Sequence, residues 1–235
     1  MSTHYQKGMK QMMSSFQVVP EGRAASYDFC YGYFQAHCHE LSKNIELSCL
    51  HLWSYLASWG MLRGSGKLIS NCSMKVLTDV IMYLDSLHDS DWILDVDDYS
   101  DEDKRDRIIE IYNDLSSKIR SIKVDGALVG VNATITLVTK IMLGTIGCVP
   151  AFDDFFSSTF RSEFATDKPH CGFRILNSNA LLHIHTFYLE NKEALKDVMI
   201  PVIDFNGNPM PGLFYKKAKL IDMFGWNVGL ENSLK

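Results

Sequence analysis

Apolar residues recur at spacings of three and four over most of the chain, and strict alternation is scarce. That pattern predicts helices and little sheet. Phe29, Tyr33 and Phe34, then Leu41, Ile45, Cys49, Leu52, Trp53 and Leu56, outline one or two long buried helices over 25–60. Gly60, Gly64 and Gly66 break the pattern. A further helix is expected over 73–87 with Ser73 as its cap, and another over 101–120 through Ile108, Ile111, Leu115 and Ile119. Asn177 or Ser178 caps a helix that runs to Leu195. The Pro/Gly-rich stretch 201–212 is a loop or short hairpin, and a last helix covers 213–226. No repeat or low-complexity linker divides the chain. The expected fold is therefore all-α, one helical domain over 1–235.

Composition changes this picture little. With 46% hydrophobic and 22% charged residues, the chain can bury a sizeable core. The first residues, MSTHYQKGMKQMM, contain no apolar stretch of the kind a signal peptide needs. The most apolar run, 128–152, carries Lys140 and several Gly and Thr, so no membrane span is expected. Six cysteines lie scattered without a CxxC pair, which fits free thiols in a reducing cytoplasm.

Charge is more informative. Residues 91–103, DWILDVDDYSDED, hold seven acids and no base; without them the net charge of −5 becomes +2. The run is expected to be an exposed acidic loop, which leaves room for a basic face elsewhere.

One stretch, LVGVNATITLVTKIMLGTIGCVPAFDDFF over 128–156, asks for chemistry. Gly130 and Asn132 tolerate positive φ and suit a tight turn between two helices. The amides at the start of the second helix, from about Ala133, would then face outward as a phosphate site. Beyond Gly147 and Pro150 the chain presents Asp153, with Asp154 as its near alternative. The bland reading of Asp153 is a helix cap.

Leu128-Val129-Gly130-Val131-Asn132-Ala133-Thr134 resembles the turn of the helix-hairpin-helix DNA glycosylases, Leu-Pro-Gly-Val-Gly-Pro-Lys. Pro150-Ala151-Phe152-Asp153 resembles the approach to that family's aspartate. Gly60-Met61-Leu62-Arg63-Gly64-Ser65-Gly66-Lys67 is similar to its upstream Gly-aromatic-aromatic-Arg-x-Lys segment. The gap between these stretches is longer here, so 88–120 would be an insertion. The ending, Lys219 to Trp226, also resembles that of short bacterial proteins with an Arg/Lys-x-x-Asp-x-x-x-Trp helix.

The resemblance implies duplex DNA as partner, with one base flipped out. Gly130, Val131, Asn132, Ala133, Thr134, Arg63, Lys67 and Lys140 would contact the backbone, Trp59 and Tyr55 would line the base pocket, and Asp153 would stabilise the sugar cation. Thr134 stands where the bifunctional members carry a Schiff-base lysine, which implies hydrolysis without strand nicking. The degenerate turn and the insertion point to a non-standard base, such as a modification in foreign DNA. The rival expectation is an inert interaction module on the same scaffold.

Nothing calls for a cofactor. His37/His39 and His183/His185 sit two apart, which on a helix places them on opposite sides, so no metal site is expected. No GKS/T loop and no GxSxG motif occurs.

Overall fold

The computed structural model describes residues 9–13, 16–63, 68–164 and 172–234. Helices take 61% of the chain and strands 6%, and both sheets among the described residues are two-stranded hairpins. The expected helical architecture therefore holds. The principal helices are α1 (Ala25–Ala36), α2 (Ile45–Ser58), α3 (Thr78–Asp85), α4 (Glu102–Arg120), α5 (Ile135–Thr145), α6 (Asp154–Glu163), α7 (Ser178–Leu195) and α8 (Lys217–Ser233). The hairpins are β1 (Lys123–Val124) with β2 (Ala127–Leu128), and β3 (Pro201–Ile203) with β4 (Pro209–Phe214).

α5 lies at the centre. Every residue from Leu137 to Thr145 is buried, and the helix packs on α1, α2 and α4. A helix apolar on all sides can be stable only where neighbours cover all of it. α1 supplies Tyr27, Tyr31 and Phe34, and α2 supplies Leu52, Tyr55 and Leu56. On the other flank α6 packs against α8. Gly225 and Gly229, one turn apart on α8, allow close approach. A Cβ on Gly225 would lie 2.6 Å from the Phe156 ring, and one on Gly229 would run into the Phe155 carbonyl.

Three expectations are corrected. Residues 91–103 are not an exposed loop. They form a helical turn, Asp89–Trp92, and a 3₁₀ turn, Val96–Ser100, with Trp92, Leu94, Val96 and Tyr99 buried. The acids serve as caps and partners. Asp91 holds Arg107 with two bonds of 2.9 and 2.8 Å, Asp98 pairs with Lys104, and Asp97 pairs with Lys217. Asp95 accepts the Lys217 and Ala218 amides at the start of α8. The Lys216 ammonium donates to the carbonyls of Trp92, Leu94 and Ile146, tying this segment to the end of α5. Within 88–120, α4 forms where the sequence predicts it, with Ile108, Ile111, Leu115 and Ile119 in the core.

The second correction concerns the turn before α5. α4 and α5 are joined not by a tight turn alone but by the β1–β2 hairpin and residues 129–134. Asp125 (φ 50°) and Gly126 (φ 77°) make the hairpin's reversal, as a two-residue primed turn requires. Gly130 does take a left-handed conformation (φ 70°), but Asn132 is not among the positive-φ residues.

Third, Ser73 makes no side-chain cap. It precedes a 3₁₀ turn, Met74–Leu77, rather than the α-helix itself.

Candidate active site

The segment between α5 and α6 is pinned at three points. The Ala151 amide donates to Asp222 Oδ1 (3.0 Å), the Phe152 amide donates to Thr139 Oγ1 (2.9 Å), and Thr136 Oγ1 donates to the Phe152 carbonyl (2.9 Å). Asp153 therefore arrives at a fixed place. One of its oxygens caps α6 by accepting the Phe156 amide (3.0 Å), and the other accepts from Lys140 Nζ at 3.0 Å. The two side chains are only 5% (Lys140) and 15% (Asp153) exposed, so solvent screens the pair weakly. Asp154 is exposed and stands outside this pair.

Two depressions flank the Lys140–Asp153 pair, each about 300 Å³. Lys140 lines the first with Tyr55, Trp59, Trp226, Lys219 and Asp222, and with Phe16 and Arg23 at its edge. Asp153 lines the second with Asp154, Gly60, Arg63, Asn132 and Thr134. Two segments far apart in sequence, around Gly60 and around Gly130, thus meet at one carboxylate. Tyr55 is buried with its ring against Gly144, where any Cβ would collide with it. The ammonium of Lys140 lies 4.8 Å from the centre of the Trp59 ring, and the guanidinium of Arg23 lies 4.6 Å from it. Lys219 pairs with Asp222 (2.9 Å) and faces the Tyr27 ring at 4.6 Å.

Other expected contact residues are placed differently. Lys140 is 4% exposed and cannot track a phosphate backbone; the carboxylate of Asp153 is what its charge serves. Val131 and Ala133 are buried, so only their backbone can face a ligand. Thr134 caps α5 by accepting the Leu137 amide (3.2 Å), which leaves the Ile135 and Thr136 amides without partners inside the helix. Arg63 is exposed at the second depression, and Lys67 lies outside the described residues.

Protein-family models, curated proteins and solved structures give no match to this chain. Among the described residues no three His, Cys, Asp or Glu side chains gather where they could hold a metal ion, the five described cysteines are free, and no helix is long and apolar enough to cross a membrane.

Sequence reasoning missed Arg23; it singled out the Lys219-x-x-Asp222-x-x-x-Trp226 ending as a motif without placing it beside Trp59 and Lys140. Lys219, Asp222 and Trp226 follow the i, i+3, i+7 spacing of one helix face, so that signal was present. Arg23 precedes α1 in an irregular segment and offers none.

Behind the pocket, Asp28 accepts from the Tyr215 hydroxyl (2.6 Å) and the Ile203 amide (3.1 Å). Burial outweighs those two bonds and Lys219, and lifts its carboxyl to about 6. The folded chain therefore holds this proton more tightly than the unfolded chain. The contribution of Asp28 to stability should fall as pH rises from about 4 to about 6, by up to about 3 kcal/mol, and stay low above that. In urea titrations across this range, Asp28→Asn should gain stability relative to the parent as pH rises. An unchanged difference would show that Asp28 titrates normally.

Proposed function

We propose that the chain is a DNA base glycosylase-like hydrolase, a divergent relative of the helix-hairpin-helix glycosylases that acts on a non-standard base without a strand-nicking step. One observation carries this reading: a shielded carboxylate–ammonium pair, Asp153–Lys140, stands between an aromatic-walled pocket and an open cleft. A flipped base needs aromatic walls, which Tyr55, Trp59 and Trp226 offer. The sugar would then lie toward Asp153, whose charge stabilises an oxocarbenium-like centre and orients water. Lys140 holds that carboxylate in place. Arg63, Asn132 and Thr134 line the cleft, and with the amides starting α5 they suit phosphate. The acidic run counts less against DNA than its charge suggests, because Asp91, Asp97 and Asp98 are paired with Arg107, Lys217 and Lys104.

Incubation with genomic and phage DNAs, followed by mass spectrometry of released bases, tests the reading. At least one DNA should yield a free base, and borohydride should trap no covalent adduct. A trapped adduct would move the chemistry to a lysine, Lys140 first. A second reading, an inert binding module, is favoured by the two structural bonds of Asp153 as cap and ion-pair partner. It expects no base release from any DNA.

A further inference from the structure

The pocket between α2, α5 and α8 has donors to spare and few acceptors. Both oxygens of Asp222 are engaged, one by the Ala151 amide and one by Lys219. Asp153 is engaged likewise by Phe156 and Lys140. Against them stand two groups that donate to no described protein acceptor, one at the solvent-facing edge and one buried. The Arg23 guanidinium makes no ion pair among the described residues; it lies 4.6 Å from the Trp59 ring centre and 5.8 Å from that of Trp226. The indole N–H of Trp59 is buried and has no hydrogen-bond partner. An indole can only donate, a guanidinium offers five donors in a planar fork, and a buried donor left unmade is costly. Trp59 and Trp226 pack nearly perpendicular, at 85° with ring centres 6.3 Å apart, and both line the pocket, so its wall presents aromatic surface in two orientations.

We propose that this pocket binds a planar aromatic ring carrying an anionic group, the ring against Trp59 and Trp226 and the anion on Arg23. A neutral ring would use the aromatic walls but leave the guanidinium unpaired, so the anion supplies the selectivity. This deepens the glycosylase reading by naming the guest, yet does not depend on bond cleavage. Two sources share the chemistry: a nucleotide, whose phosphate is the anion, or a ring with its own carboxylate.

The test is a set of NMR titrations of the full chain. The Trp59 indole N–H signal, identified by its loss in Trp59→Phe, is the reporter. The probes are thymidine, thymidine 5′-monophosphate, orotate and ribose 5-phosphate. The monophosphate or orotate should shift that signal and bind about tenfold or more tightly than thymidine. Which of the two gains tells whether the anion belongs to the backbone or to the ring. Arg23→Gln should erase the gain without altering the fold, since Arg23 is exposed, whereas Arg23→Lys should keep part of it. The proposal is overturned if thymidine binds as tightly as both anionic ligands, if ribose 5-phosphate matches the monophosphate, or if Arg23→Gln retains the gain. Binding as expected with no base released from any DNA would keep this inference and discard the glycosylase reading; base release with no preference for anions would do the reverse.

Discussion

Asp153→Asn should cut base release by about a hundredfold or more, because it removes the shielded negative charge that the proposed function sets against the sugar cation. It should also cost about 3 kcal/mol of stability. Asn can still cap α6, so the cap contributes little to that loss. The loss comes from buried Lys140, which loses the carboxylate 3.0 Å away. The two effects can be separated. Adding Lys140→Met to Asp153→Asn removes the stranded ammonium and should recover most of the stability in urea denaturation, while base release stays at the low level. Asp154→Asn should change neither measurement appreciably, since Asp154 is exposed and outside the pair. Parental release rates in Asp153→Asn would refute the catalytic assignment, and an intact unfolding midpoint would refute the account of the pair.

Gly229→Ala should be among the most damaging added methyls at the described glycines. The added carbon would meet the Phe155 carbonyl, a backbone group that cannot rotate aside as a side chain can. The expected cost is about 3 kcal/mol, the upper end for overpacking. The effect should also reach the pocket, because the Phe155 ring meets the Trp226 ring edge-on at 5.6 Å. Gly172→Ala, whose methyl meets open space, should be close to neutral by comparison. Thermal unfolding of the two variants side by side measures the difference; equal midpoints would mean that α6 and α8 can separate at little cost.

The helical periodicities were legible in the sequence because each records a buried stripe. α1, α2 and α4 fall where Phe34, Leu52 and Ile108 placed them, and Asn177 caps α7 as the sequence suggested. The acidic run was misread because its charges were counted and its Trp92, Leu94, Val96 and Tyr99 were not. The Asp125-Gly126 pair was an overlooked turn signal, so the hairpin before α5 went unforeseen. Trp59 and Tyr55 line the first depression and Arg63 and Asp153 the second; Trp59 and Arg63 flank Gly60 and Asp153 follows Pro150, breaks that are visible locally. The partner of Lys140 was not legible. Thirteen residues separate Lys140 from Asp153, and the intervening bend, closed by the Thr139, Thr136 and Asp222 bonds, depends on α8 at the far end of the chain.

The Lys216 ammonium, gripping carbonyls from Trp92, Leu94 and Ile146, acts on time as well as on space. Because one cation spans the acidic segment and the end of the central helix, the segment cannot swing out without leaving that cation stranded. Its opening is thereby coupled to loosening of the core itself. Amide protons at Leu94 to Tyr99 should then exchange with solvent on the slow schedule of α5, and proteases should find no early cut there. Residues that read as the most solvent-loving in the chain would thus be among the last to let water in.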